Sequence, residues 1–245
     1  MIAIAMTSWV KRIQNVKPVV DSILKNTILP DRIYISLSVQ EFPHKEKDLP
    51  NDLVELSKSN DRVIINWVKG ENTKTMKKVF PILKYLDDDD IIITCDDDML
   101  FPPDLIESRL NDFDLYNRNH PISGKRAFTI NFFHKMITMA PTSLFQKKML
   151  KNWEKIANDR VIHTYNDDRL YIYIFWLNGY LNKPCSNYEI DEMRSQYNYN
   201  VIERAGEDYH LYPIGKRFDR FMIPEVMKLT GKNLLSSFGY FKKIK

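Results

Sequence analysis

The sequence predicts an α/β fold with a mostly parallel central sheet. Short runs of strand-forming residues alternate through the first half of the chain with amphipathic segments at helical spacing, which is the pattern of repeated strand–helix–strand units. The strongest strand signal is Ile91–Cys95, an apolar run that ends in Asp96-Asp97-Asp98. A length of 245 residues fits one large domain of this class.

The first half of the chain predicts four strands and three helices. The strands cover 2–8, 32–38, 63–68 and 91–95, and the helices cover 15–26, 52–59 and 73–86. In the first helix the apolar residues Val16, Val19, Val20 and Ile23 share one face. Because helical crossovers of this length connect parallel strands, we expect these strands to run in the same direction.

The second half predicts antiparallel strands and three further helices. The helices cover 102–113, 141–152 and 170–177, and strand-like runs cover 126–131 and 136–140. Thr142 or Ser143 is placed to cap the second of these helices, and Asn178-Gly179 is placed to end the third.

Composition excludes several classes of protein. No stretch approaches the ~20 apolar residues that span a bilayer, and a net charge of +4 without a basic stripe argues against a nucleic-acid partner. Two cysteines are too few for a disulfide framework, and the first residues lack the basic region of a secretion signal. We therefore expect a cytoplasmic protein.

The acidic triplet after the central strand predicts a metal site. Open α/β sheets bind ligands beyond the carboxyl ends of their strands. Three adjacent carboxylates at that position repel one another unless a cation neutralises them. The alternative is a solvated acidic turn, which is how we interpret Asp87 to Asp90 at the other end of the same strand.

Two other charged segments carry open alternatives. Asp167 and Asp168 stand at the start of the helix over 170–177, where acids serve equally well as caps or as catalytic groups. Lys74, Lys77 and Lys78 belong either to a solvated helix face or to a phosphate-facing one.

The order of these parts resembles that of glycosyltransferases with the GT-A fold, especially inverting, family 2-like bacterial enzymes that build surface polysaccharides such as capsule or lipopolysaccharide. The motifs that carry the resemblance lie at 7–12, 30–33, 77–83, 96–103 and 166–179. The resemblance implies a Rossmann-like sheet flanked by helices, with a small additional antiparallel sheet, in one domain over 1–230. It also implies a hexosyltransferase that moves a sugar from a nucleoside diphosphate sugar, with UDP-sugars as the first expectation, to a hydroxyl of a glycan or lipid-linked glycan.

The resemblance also assigns roles to individual residues. Asp96 and Asp98 would hold Mn²⁺ or Mg²⁺ to stabilise the departing diphosphate, with His210 or His163 as a third ligand. Asp168, with Asp167 as second choice, would act as the base on the acceptor hydroxyl. The residues expected to contact the nucleotide or donor sugar are Thr7, Arg12, Lys77, Asp96 and Asp97. Glu41 is the one acid close after the second strand, so the sequence leaves the base of the donor open.

Two other functions compete with this interpretation. A nucleotidyltransferase that makes activated sugars would carry a glycine-rich loop after its first strand, and no glycine occurs before Gly70. An inactive carbohydrate- or nucleotide-binding domain would not need both acidic groups. Metal-dependent binding of nucleoside diphosphates distinguishes a binding module from the enzymes.

The last segment, 231–245, is amphipathic and basic. Leu234, Leu235, Phe238 and Phe241 recur at helical spacing, and lysines close the chain. This tail is either a final core helix or a surface that contacts the inner face of the membrane, where lipid-linked acceptors are found.

Overall fold

The main feature of the computed structural model is a seven-stranded sheet. The structure describes residues 1–123, 127–131, 134–137, 139, 141–155, 167–185 and 228, with the backbone alone at 127–131 and 134–137. The strands are β1 (Ile2–Thr7), β2 (Arg32–Ser38), β3 (Val63–Val68), β4 (Ile91–Cys95), β5 (Ile122–Ser123), β6 (Ala127–Asn131), β7 (His134–Ile137), β8 (Thr142–Gln146) and β9 (Lys183–Pro184). The α-helices are α1 (Ile13–Ile23), α2 (Asn51–Ser59), α3 (Leu105–Leu115) and α4 (Asp167–Leu177).

The sheet has the order β3-β2-β1-β4-β8-β5-β9. The first four of these strands pair in parallel, as the sequence predicts, and their observed bounds agree with the prediction to within one residue. All five residues of β4 are buried. Strands covered on both faces are apolar throughout, which is why these runs do not alternate with polar residues.

The second half of the sheet corrects one prediction. The helix predicted over 141–152 is instead strand β8, antiparallel to β4, followed by a short 3₁₀ helix at Lys147–Leu150. Thr94 Oγ1 and Ser143 Oγ lie 2.6 Å apart, so Ser143 pairs with the neighbouring strand and does not cap a helix. Since β4 has β1 on one side only, it needs β8 to satisfy the hydrogen bonds of its other edge.

A second correction concerns the helix predicted over 73–86. Two 3₁₀ helices occupy this segment, Lys74–Lys78 and Phe80–Tyr85, and they meet at Val79. Pro81 lies in the first turn of the second helix, where its missing amide costs nothing, but it could not sit within one continuous α-helix without breaking it. As a result, Lys77 and Lys78 are both buried.

The remaining elements surround the site. Helix α4 is buried along nearly its whole length and packs Tyr171 and Phe175 against Phe145 of β8. It ends at Leu177, and Asn178-Gly179 follows as the predicted stop, with a φ of +83° at Gly179 that suits glycine. Strands β6 and β7 form the small antiparallel sheet. Both cysteines are buried free thiols, and none of the helices in the described ranges is long and apolar enough to cross a membrane.

The acidic turn at 87–90 lies at the amino end of β4. Asp88 and Asp89 form exposed ion pairs with Lys151 and Lys148, at 2.7 and 2.8 Å. This turn lies at the end of the strand opposite the acidic triplet, and its exposed residues Asp88 and Asp89 agree with its interpretation as surface charge. Asp90 does not, because its side chain is buried and pairs with the amino group of Met1.

Candidate active site

The candidate site lies at the carboxyl ends of β1 and β4. These two strands are neighbours, but the chain proceeds from β1 to β2 and β3 on one side and returns to place β4 on the other. Such a reversal leaves a crevice between the two strand ends, which is where open α/β sheets bind ligands. Asp96, Asp97 and Asp98 follow β4 directly and border this crevice.

Arg12 and Ser8 hold two of these acids from the β1 side. Ser8, one residue beyond β1, donates a hydrogen bond from Oγ to Asp97 Oδ2 at 2.6 Å. Arg12, at the start of α1, places Nη1 3.0 Å from Asp97 Oδ1 and 2.9 Å from Asp98 Oδ2. Asp97 is buried, whereas 41% of the side chain of Asp98 is exposed. Asp98 therefore faces the opening of the crevice, and Asp97 anchors the loop.

Lys78 connects the acidic triplet to the acidic pair of α4. Its Nζ lies 2.7 Å from Asp96 Oδ1 and 3.3 Å from Asp167 Oδ2. Burial alone would lower the pKa of Lys78, but the carboxylates of Asp167 and Asp96 outweigh this and keep the pKa well above its ordinary value. The two groups of acids, distant in the sequence, thus form one site around a buried ammonium.

Asp168 lies beside this bridge in a poorly solvated position. Burial raises the pKa of Asp168 well above its ordinary value, the charge of Asp167 raises it further, and Lys78 opposes them. Within the described part of the chain, Asp167 Oδ2 and the hydroxyl of the buried Tyr171 have no hydrogen-bond partner. Lys78 Nζ is close enough to Asp167 Oδ2 for an ion pair, but the geometry of the contact is not that of a hydrogen bond. Such buried polar atoms are expected to be satisfied by a ligand or by water.

The acidic triplet also carries more negative charge than the cations beside it neutralise. Burial raises the pKa values of Asp96, Asp97 and Asp98, with Lys78 opposing this at Asp96 and Arg12 at the other two. Among the described residues, Arg12 and Lys78 form ion pairs with four carboxyl groups, and Asp168 lies beside them as a fifth. A further cation would lower all of these pKa values.

The donor chemistry fits a hard divalent cation. Carboxylate oxygens are the ligands that Mg²⁺ and Mn²⁺ prefer. Burial is the main reason that the pKa values of Asp96 and Asp98 are raised, and the neighbouring carboxylates raise them further. In the described ranges, no three His, Cys, Asp or Glu side chains are grouped closely enough to form a complete metal site. Asp96 and Asp98 would therefore hold the ion together with ligand or water oxygens, as is usual for Mg²⁺ at phosphates.

Known structures share this architecture. No family model and no curated protein matches the chain. The crystal structure of S. aureus TarS 1–349 has a TM-score of 0.50 at 10% identity, over 100% of this chain and 75% of that one. A longer TarS structure gives 0.50 at 11% identity, over 95% of this chain and 46% of that one, so the chain spans about half of its length.

The chain has a GT-A-like fold. At these identities the similarity shows the fold alone. A 4-diphosphocytidyl-2C-methyl-D-erythritol synthase from Anaerococcus prevotii DSM 20548 has 14% identity over 82% of this chain and 96% of that one, at a TM-score of 0.49.

The GT-A-like fold gathers most of the predicted site residues. Arg12, Asp96, Asp97, Asp98, Asp167 and Asp168 contact or electrostatically influence one another around the crevice. Thr7 lies at the end of β1, but its hydroxyl donates to the carbonyl of Ser36 at 2.7 Å. His210 and His163 lie outside the described residues.

Lys77 is placed differently from Lys78. Lys77 Nζ lies 3.0 Å from Glu41 Oε2 and 3.4 Å from Asn72 Oδ1, in a polar cluster beyond β2 and β3. Burial lowers the pKa of Lys77, although Glu41 opposes it. Sequence reasoning selected Lys77 and missed Lys78 and Ser8. The available signal for Ser8 was its position directly after a strand, but adjacent lysines cannot be told apart without the backbone conformation.

Proposed function

We propose that this protein is a metal-dependent glycosyltransferase. It moves a sugar from a nucleoside diphosphate sugar, with a UDP-sugar as the expected donor, to a hydroxyl of a glycan or lipid-linked glycan, with inversion, in surface polysaccharide biosynthesis. The observation that carries this proposal is the meeting of the two acidic groups at Lys78. One crevice thereby contains carboxylates suited to a cation and a carboxylate suited to act as a base.

The acidic triplet supports the donor half of the proposal. Asp96 and Asp98 would hold Mn²⁺ or Mg²⁺, which supplies Lewis-acid stabilisation to a departing diphosphate. Arg12 borders the same crevice from the β1 side, and a guanidinium is well suited to contact phosphate oxygens when a ligand enters. Asp97, held by Ser8 and Arg12, keeps the loop in place.

Asp168 supports the acceptor half. In an inverting transfer the acceptor oxygen forms a bond to the anomeric carbon as the bond to the diphosphate oxygen breaks, and a base removes the hydroxyl proton. The raised pKa of Asp168 makes it a stronger proton acceptor than an ordinary aspartate. Asp167 is the second choice because its carboxylate already faces Lys78.

A nucleotide-sugar donor is consistent with a protein of the same fold. The TarS 1–349 fragment has also been crystallised with UDP-GlcNAc, and this chain shares the fold of that fragment. Fold alone does not determine the ligand, so the donor class rests on the carboxylate chemistry of the crevice.

A panel of nucleotide sugars incubated with Mn²⁺ or with a chelator tests the proposal. We expect slow release of a nucleoside diphosphate from one donor, dependent on Mn²⁺ and faster with the acceptor. Release of pyrophosphate from a nucleoside triphosphate and a sugar phosphate would instead identify a nucleotidyltransferase.

Variants of the acidic pair sharpen this test. Asp168→Asn should bind donor and cation as the wild type does but lose at least about a hundredfold in transfer, the usual scale for a general base. Asp167→Asn should be affected less. Near-normal transfer by Asp168→Asn together with loss in Asp167→Asn would reverse the assignment of the pair.

A further inference from the structure

We propose that Lys78 is a positioning residue that joins the donor and acceptor halves of the site and competes with the divalent cation for Asp96. The competition and its kinetic consequence rest on the proposed function. The bridge itself does not, because it is formed by side chains of this chain alone.

The bridge is short, buried and formed by three separate elements. Lys78 ends a 3₁₀ helix, Asp96 follows β4, and Asp167 begins α4. Lys78 and Asp167 each have 7% of the side chain exposed. A buried ammonium is costly unless it is paired, so the separation of the two carboxylates is set by the one cation that both contact. Since Asp168 follows Asp167 in the same helical turn, its position depends on this contact.

The same contact weakens binding of a cation. Asp96 Oδ1 accepts a hydrogen bond from Lys78 at 2.7 Å, so an ion at Asp96 must share that carboxylate with the lysine. Two positive charges that share one carboxylate also repel each other. Lys78 therefore lowers the affinity for the ion while it holds the acceptor carboxylates in place.

The neighbouring lysines show that this role belongs to Lys78 in particular. Lys77 pairs with Glu41 and lies apart from the aspartates. Lys84 is exposed and lies over the ring of Tyr85, 4.7 Å from its centroid. Lys84 therefore provides a matched control for removal of a lysine from this part of the chain.

The test compares Lys78→Met, which removes the charge, with Lys78→Arg, which keeps it, and with Lys84→Met. Mn²⁺ binding is measured by calorimetry without nucleotide, and kcat and KM are measured with the donor identified by the panel. Lys78→Met should bind Mn²⁺ at least about threefold more tightly, because a nearby positive charge is removed. Its kcat should fall at least about tenfold with KM for the donor little changed, as expected when positioning is lost.

Lys78→Arg should recover part of the kcat and return the Mn²⁺ affinity toward the wild-type value, and Lys84→Met should match the wild type in both. A merely structural role would weaken Mn²⁺ binding and activity together. Unchanged or weaker Mn²⁺ binding by Lys78→Met, or an unchanged kcat, would overturn the proposal.

A double-mutant cycle tests the bridge without any ligand. Lys78→Met, Asp167→Asn and the double variant are compared by denaturant unfolding, and the double variant should lose less stability than the sum of the two single changes. If the stability losses of the two single variants are additive in the double variant, Lys78 and Asp167 do not interact, and the proposed bridge is wrong whether or not the protein is a glycosyltransferase. If Lys78→Met alone does not fold, the Mn²⁺ affinity of the double variant is compared with that of Asp167→Asn, and it should again be tighter.

Failure of the proposed function gives a different result. If the wild type binds Mn²⁺ but turns over no nucleotide sugar, the glycosyltransferase assignment fails, while the cycle and the Mn²⁺ affinities still decide the role of Lys78. If neither the wild type nor Lys78→Met binds Mn²⁺, Lys78 does not compete with a cation for Asp96. The double-mutant cycle then tests the contact between Lys78 and Asp167 by itself.

Discussion

Asp168 is the single residue on which the proposed chemistry depends most. Its carboxyl group is held in a poorly solvated position beside Asp167, and burial is the main reason that its pKa is raised. A raised pKa has two separate consequences, because the charged form is both a better base and a less stable form in the folded protein.

The first prediction therefore concerns pH. As pH falls, the rate should be lost through the raised pKa of Asp168, above the value of about 3.9 for a free aspartate. The folded protein binds this proton more tightly than the unfolded chain does, so the contribution of Asp168 to stability is present below the ordinary pKa and is lost as pH rises through the raised one. Rate profiles and denaturant unfolding of the wild type across pH measure both effects.

Asp168→Asn is the control for the stability effect. The variant should lose less stability than the wild type as pH rises through this window, because it has no carboxyl group to ionise. Parallel stability profiles for the two proteins would show that Asp168 ionises as readily in the folded protein as in the unfolded chain.

Sequence reasoning reached most of the residues of the site. Both acidic groups were visible because each stands at the end of a strand or the start of a helix, and Arg12 lies close behind the first strand. The contact of Lys78 with Asp96 and Asp167 could not be predicted, since Lys77 and Lys78 are adjacent lysines that differ only in where their side chains point. Both lysines lie in a 3₁₀ helix of five residues that starts with a positive φ of 56° at Lys74. The spacing of an α-helix therefore does not predict which way each side chain points.

At the scale of elements, the position of β8 decides how the acidic triplet is presented. β8 pairs with β4 along its full length, and Ile93 lies opposite Leu144. The sequence 141–152 predicts a helix because Pro-Thr-Ser resembles a helix start. Only the unpaired edge of β4, a tertiary constraint, turns the same residues into a strand. In contrast, the parallel half follows from local pattern alone.

The second prediction tests this pairing. Ser143 Oγ lies 2.6 Å from Thr94 Oγ1, which also accepts the amide of Ser143 at 3.1 Å. Ser143→Ala removes one buried partner and should cost about 1–2 kcal/mol in the free energy of unfolding. Ser59→Ala, at an exposed hydroxyl that bonds within α2, is the control and should change stability by less than about 0.5 kcal/mol. Equal effects in denaturant unfolding would place Thr94 and Ser143 outside the core.

At the level of the whole molecule, the described sheet brings the acidic triplet and the acidic pair together in one unit. β4 carries the acidic triplet, and α4 brings the acidic pair to it through packing on β8. A single domain over 1–230 and a separate tail over 231–245 remain predictions from the sequence, as does a cytoplasmic location. The tail lies outside the described residues.

The third prediction concerns this tail. If it contacts membranes, deletion of 234–245 should leave donor hydrolysis intact and reduce sedimentation with anionic vesicles, and added salt should weaken the binding of the full chain. Vesicle sedimentation at two salt concentrations, with neutral vesicles as the control, measures this. A deletion that unfolds the protein would assign the tail to the core, and unchanged sedimentation would remove its membrane role.

In the proposed function, the acids beyond β4 bind a nucleoside diphosphate through a divalent cation. Calorimetric titration of UDP with and without Mn²⁺ tests it most directly, on the wild type, Asp98→Ala, Asp96→Ala and the control Asp89→Ala, whose side chain is 81% exposed at the opposite end of the strand. We expect Mn²⁺-dependent binding in the wild type and the control and its loss in Asp98→Ala, less completely in Asp96→Ala. Both variants should fold, because Asp98→Ala removes one of several crowded charges and Lys78 keeps its contact with Asp167 in Asp96→Ala. Unchanged Mn²⁺-dependent binding in both site variants would show that Asp96 and Asp98 do not hold the cation.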